Sequence, residues 1–309
     1  MFALDGLAPV DGWAAVAILA KALGYAAALL AMGGALFLAV HERDLAPAGS
    51  GSSSGGGMLP RIVPHLRRLT AAAAFAGLAV LALRFAIRAA RVSGMGLEGA
   101  ADPMMLGLVW DSPLGAAAAW RAGGAALVLF VLVPGLIGRW VPILGAVLIA
   151  VSYSVVGHSL GEPRWALASL LVLHLLAVAF WVGALVPLRR AARSPYGAAV
   201  LHRFGTVASG AVPLLVAVGA SFAWLLSGSV AALFGTAYGW VLIAKIAAVA
   251  ALLSLAARNK LDLVPALARG EPSASSALRR SIEWEGAAIA VILLATAALT
   301  TITTPPAKL

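Results

Sequence analysis

Eight runs of this 309-residue chain are apolar for long enough to cross a bilayer, near 13–40, 69–90, 115–137, 140–157, 166–187, 205–227, 239–257 and 284–303. At 1.5 Å rise per residue, about 20 such residues match a hydrocarbon layer of roughly 30 Å. With 62% hydrophobic and 11% charged residues, the chain has too little polar surface to close as one soluble globule. The runs are continuous and rich in Ala, Leu and Val rather than alternating, which selects helices over a barrel. The expected fold is all-α: one transmembrane domain over 1–309, a polytopic bundle of eight helices in the lipid bilayer.

Basic residues set the expected orientation, because cytoplasmic loops collect Lys and Arg. Arg43, Arg61, Arg67 and Arg68 fall in the first loop, Arg139 in the third, Arg189, Arg190, Arg193 and Arg203 in the fifth, and Arg258, Lys260, Arg269, Arg279 and Arg280 in the seventh. The N-terminus and the alternate loops hold Asp5, Asp11, Glu98, Asp102, Asp111 and Glu162 instead. Both termini are therefore expected on the periplasmic side. The net charge of +10 is mostly topology on this reading, and no nucleic-acid partner is expected. The first twelve residues carry two aspartates and no basic segment, so the first helix is expected to stay in the mature protein. A flexible Gly/Ser linker, about 46–60, interrupts the first cytoplasmic loop, and 265–276 reads as a second, weaker loop. Cysteine is absent, so a soft-metal site must use Met and His.

The run 166–187 holds His174 within its apolar stretch, with Trp181 two turns further along the same helix face. An ionisable group at that depth is costly unless it meets a partner, a cavity or a ligand. The segment HLLAVAFWVGAL, with His174, Trp181 and Gly183, resembles the signature of the CopD/PcoD copper resistance family. Further pieces agree in order: DSPLGAAAAWR ending at Arg121, VVGHS around His158, HRF from His202, TAYGWVLIAK ending at Lys245, ARN ending at Asn259 and SIEWE ending at Glu285. The resemblance implies eight helices in the bacterial inner membrane and copper movement from periplasm towards cytoplasm. It also implies an association with a small periplasmic copper-binding protein.

Imidazole and thioether ligands suit Cu(I) better than Cu(II). His158 ends the fourth run and His174 lies in the fifth, so a short connection makes these helices antiparallel neighbours. Met95, Met104 and Met105 fall in the outer loop between the second and third runs. One reading is capture of copper by these methionines and hand-off to His158 and then His174; the other is that they pack or meet solvent. Met32 could extend that path or simply fill the core. His41, His65 and His202 fall on the cytoplasmic side, as an exit site or as interfacial residues.

Lys21, Arg84, Arg88, Arg121 and Lys245 lie in the outer halves of apolar runs, with no acidic residue at similar depth in their own helices. Snorkelling explains Arg88 and Arg84; the deeper Lys21, Arg121 and Lys245 suggest a cationic vestibule. Such a vestibule repels a bare copper ion. It requires Asp102, Asp111 or Glu162 as counter-charge, an acidic carrier, or a ligand with carboxylates. The last case gives the alternative, a haem b redox protein with propionates on the cations and His158 and His174 as axial ligands. Glu285 reads as the start of the last helix and Asn259 as the end of the seventh, either as a proton or metal relay or as a helix-terminal charge. No nucleotide loop, zinc-protease motif or hydrolytic triad is present, so no enzymatic activity is expected beyond a possible copper reductase role in the haem alternative.

Overall fold

The computed structural model describes residues 11–45, 62–156, 164–194, 197–227 and 230–302. Among them every regular element is helical. The helices are α1 (Gly12–Leu45), α2 (Ile62–Ser93), α3 (Leu97–Ala101), α4 (Pro103–Trp110), α5 (Pro113–Val128), α6 (Gly135–Ser152), α7 (Arg164–Ala191), α8 (Gly197–Ser227), α9 (Val230–Gly235), α10 (Ala237–Arg258), α11 (Val264–Ala268) and α12 (Ala274–Ile302). Eight spans are long and apolar enough to cross a membrane: α1, α2, α5 with the 3-10 turn that follows it, α6, α7, α8, α10 continued through α11, and α12. They match the eight runs in the sequence.

Local chemistry fixes the starts. The Asp11 carboxylate accepts from the Ala14 amide at 2.6 Å, Asp102 from Met105 at 2.9 Å, Ser112 from Leu114 at 3.2 Å and Thr236 from Gly239 at 3.1 Å. Each satisfies an amide that the first turn leaves without an intrahelical partner. Proline stands in the first turn of α4 and α5, where its missing N–H costs nothing.

Three boundaries differ from the apolar pattern. The third run was expected to reach 137, but α5 gives way to a 3-10 turn at Leu129–Leu132; Pro134 is extended and Gly135 turns the chain at φ 81°. The stretch 265–276 is helical at both ends, with only a short turn between α11 and α12. The last helix begins at Ala274, ten residues before the run at 284, because Arg279, Arg280 and Glu283 hide its first turns from a hydropathy reading. The 46–60 linker lies outside the described residues.

Helix α1 is the hub, packed along α2, α7, α6 and α12. Half of its apolar span is buried in protein, against 6% for α8 and for α10, so lipid must cover most of the latter two. Exposed Trp110, Trp165 and Trp240 near helix ends suit an aromatic belt. Because the number of spans is even, the first residues of α1 and the last of α12 share one end of the bundle, here the terminal end. There the Lys21 ammonium donates to the Thr300 carbonyl at 2.8 Å. The far end is tied by the Arg67–Glu42 and Arg189–Glu283 ion pairs.

A close crossing joins α1 to α7. A Cβ on Gly183 would overlap the backbone of Gly33, and one on Gly33 would lie 2.8 Å from the Gly183 nitrogen. Two glycines thus let the main chains touch, as close packing in membranes requires. Gly34 meets the Thr70 side chain of α2, and Gly124 of α5 faces Gly145 of α6 in the same manner. Around the α1–α7 crossing lie Leu29, Met32, Val128, Ile149, Val182 and Ile289; Met32 is fully buried, a core residue.

Candidate functional site

Three of the sequence motifs meet in the middle of the bundle. Trp181 of α7 donates its indole N–H to Glu285 Oε2 of α12 at 3.1 Å, and Asn259 donates its amide to Glu285 Oε1 at 2.5 Å. Glu285 is 5% exposed and Asn259 8%. Asn259 opens a π-helical turn, Asn259–Leu263, directly after α10. This wider turn is a frequent feature of functional positions and aims the amide inwards. Glu285 lies eleven residues into α12, about 16 Å along the axis. It is therefore a mid-helix carboxylate, and the helix-terminal reading of it is withdrawn. The signal for the triad was present in the FWVGAL, ARN and SIEWE motifs, but nothing in one sequence joins three separate helices.

His174 lies two turns towards the terminal end from Trp181 on α7. Its Nδ1 is buried and has no hydrogen-bond partner among the described residues. His158 lies outside the described residues, as does Glu162.

Lys21, Arg84 and Arg121 line one cavity of about 260 Å³ between α1, α2, α4, α5 and α12, and Arg88 and Arg91 join them. Lys245 is not among its lining residues, because α10 packs on α12 at the periphery. The Arg121 Nε donates to Ser152 Oγ at 2.9 Å, and its guanidinium lies 4.0 Å from the centroid of the Tyr153 ring. That aromatic face is a cation–π platform. Tyr25 packs on Tyr153 at 5.7 Å. Among the described residues no carboxylate lies within ion-pair distance of these five cations. A narrow crevice of about 40 Å³, walled by Gly24, Ala27, Ala73, Gly77 and Ala125, runs beneath Arg84 and Arg121.

The three methionines lie at the terminal end, in the connection from α2 through α4. Met95 lies in the turn between α2 and α3 and is 51% exposed; Met104 on α4 is 76% exposed; Met105 is half-buried. Asp102 is engaged in capping α4 and Asp111 is exposed, so neither folds in as counter-charge. At the far end His202 and His65 are exposed, whereas His41 is fully buried against Phe37 at 4.8 Å, Phe180 at 6.0 Å and Phe204 at 6.4 Å. The three histidines do not form one cluster there, and His41 is not interfacial. Among the described residues no three His, Asp or Glu side chains converge as a ready metal site.

Residues 10–163 match the family model described as copper resistance protein D-like, N-terminal domain, and residues 198–299 match the one described as copper resistance protein D. Between them these segments take in most of the chain. Helix α7, with His174, Trp181 and Gly183, lies in the interval that separates them. No curated protein and no solved structure matches the chain.

Proposed function

The chain belongs to the copper resistance protein D family, whose members are copper-handling membrane proteins, and from that premise we propose that it binds Cu(I) on the periplasmic side and passes it inwards. The terminal end faces the periplasm on this reading and the basic far end the cytoplasm, in the bacterial inner membrane. Copper is the cargo, delivered by a small periplasmic copper-binding protein to Met95, Met104 and Met105. His158 and His174 take the ion into the bundle. The chain acts as a carrier rather than an enzyme.

One observation carries this reading: the buried, unpartnered Nδ1 of His174. A buried nitrogen without a hydrogen bond loses solvation with no return, and a soft cation at its lone pair restores it. The small residues of the crevice and the Gly33–Gly183 contact favour stepwise passage between helices over an open pore. Trp181, Asn259 and Glu285 lie further along the same path and supply a buried carboxylate near it.

Titration of anaerobically purified protein with Cu(I), in competition with a chromophoric chelator, tests the reading. His174→Ala is expected to weaken binding at least 100-fold, about 2.8 kcal/mol. His202→Ala, at the far end, is expected to leave capture unchanged. Undiminished binding in His174→Ala overturns the path. The second reading, haem b with its propionates on Lys21, Arg84 and Arg121, is favoured by the carboxylate-free cation cluster. It predicts a Soret band in the purified protein, which a Cu(I) site does not give.

A further inference from the structure

The cationic cavity at the terminal end is larger than snorkelling requires. Arg84, Arg88 and Arg91 follow one another at i, i+4 and i+7 on one face of α2, and Lys21 and Arg121 complete the ring from α1 and α5. Local partners use only part of their donor capacity. Lys21 donates to Thr300 and, at 3.4 Å, to Thr301 Oγ1; Arg121 donates to the side chain and, at 3.5 Å, to the carbonyl of Ser152. Arg84, Arg88 and Arg91 have no carboxylate partner among the described residues. Five basic side chains around one cavity repel each other in a low-dielectric setting, and an anion with several oxygens relieves them together.

Depth and wall chemistry narrow the ligand. Arg91 stands two residues from the end of α2, and Arg84 nine, which spaces the arginines over about 10 Å along the axis. Helix α1, at 34 residues, is about 51 Å long, more than the roughly 40–45 Å between headgroup surfaces. With α1 centred on the bilayer, Arg91 and the mouth of the cavity fall at headgroup level and Lys21, nine residues into α1, just beneath it. Apart from Thr300 and Thr301, the remaining wall of the cavity is apolar, with Leu81, Phe85, Val109 and Leu114. Guanidinium forks take tetrahedral phosphates in bidentate fashion, and an apolar wall beside them accepts the hydrocarbon attached to such a group.

We infer that Lys21, Arg84, Arg88, Arg91 and Arg121 form a phosphate-binding site at the terminal end, open at the level of the membrane surface. Its ligand is the phosphate of an anionic phospholipid or a free phosphate. This site is independent of the copper path and stands or falls separately from it.

Delipidated, detergent-purified protein is tested with two probes, inorganic phosphate and phosphatidylglycerol micelles, by thermal shift and by native mass spectrometry of retained lipid. Wild type is expected to bind one phosphatidylglycerol. Arg84→Gln and Arg121→Gln are each expected to weaken that binding tenfold or more, and Arg193→Gln, at the far end, to leave it unchanged. Arg84→Lys keeps the charge but not the fork, and is expected to fall between wild type and Arg84→Gln; it serves where the neutral variant does not fold. Binding of lipid without binding of inorganic phosphate assigns the site to a headgroup, and binding of inorganic phosphate alone assigns it to a soluble anion. Lack of binding by either probe overturns the inference, as does equal binding in wild type and the Arg84 and Arg121 variants. So does a Soret band in purified protein that Arg84→Gln and Arg121→Gln abolish, because the cations then hold propionates.

Discussion

Gly183→Val is expected to yield no monodisperse protein on size-exclusion chromatography, and Gly183→Ala to lower stability by about 3 kcal/mol in a detergent unfolding titration. The new methyl of the alanine variant has no space to enter: it overlaps the Gly33 backbone, which cannot rotate away as a side chain can. The helices must separate, and the apolar contacts of Leu29, Met32 and Val182 around the crossing loosen with them. Gly33→Ala is expected to cost a similar amount. The two together are expected to cost less than the sum of both, since one separation accommodates either methyl. Gly219→Ala is the matched control, because a Cβ there meets nothing within 4 Å. It should stabilise the helix by up to about 1 kcal/mol. If Gly183→Ala melts like Gly219→Ala, the α1–α7 contact is not as described.

The second large effect is expected at Glu285. Removing its carboxylate in Glu285→Ala leaves the Trp181 indole and the Asn259 amide as buried donors without an acceptor, at a cost of about 2–4 kcal/mol. Glu285→Gln puts an NH2 donor where one of the two accepting oxygens stands, so one of the two donors loses its acceptor in place and the variant should lose roughly half as much. A double-mutant cycle with Trp181→Phe separates pairing from packing. The indole–carboxylate term should appear as a coupling of about 1–2 kcal/mol, towards the upper end for hydrogen bonds between transmembrane helices. Additive losses would mean that Trp181 and Glu285 merely pack side by side.

The eight spans were legible because burial in lipid imposes a simple rule: about 20 apolar residues in a row. Helix ends outside the hydrocarbon obey no such rule, which is why the first turns of α12, with Arg279, Arg280 and Glu283, did not show in hydropathy and Glu285 looked terminal. The cations at Lys21, Arg84 and Arg121 were visible as charges out of place, and their depth alone brought them to one level. Depth does not fix the angular position of a helix in the bundle. Lys245 has the right depth but belongs to a peripheral helix, so it does not line the cavity. The Trp181–Glu285–Asn259 triad was hidden for the same reason. Each member was noticed within its own motif, yet their meeting depends on how α7, α10 and α12 are arranged around α1.

The bond between Lys21 and Thr300 also bears on how the protein is made. The first helix carries an ammonium whose hydrogen-bond acceptors lie on the last helix, 279 residues later in the chain. At a synthesis rate of about 5–20 residues per second, roughly 15 to 55 s separate the emergence of one from the other. Throughout that interval Lys21 must be tolerated at the edge of the lipid by water, by headgroups or by the insertion machinery itself. The hub helix is thus inserted first and completed last, and a ribosome that stalls before the final span leaves an inserted chain with its central helix still lacking this partner.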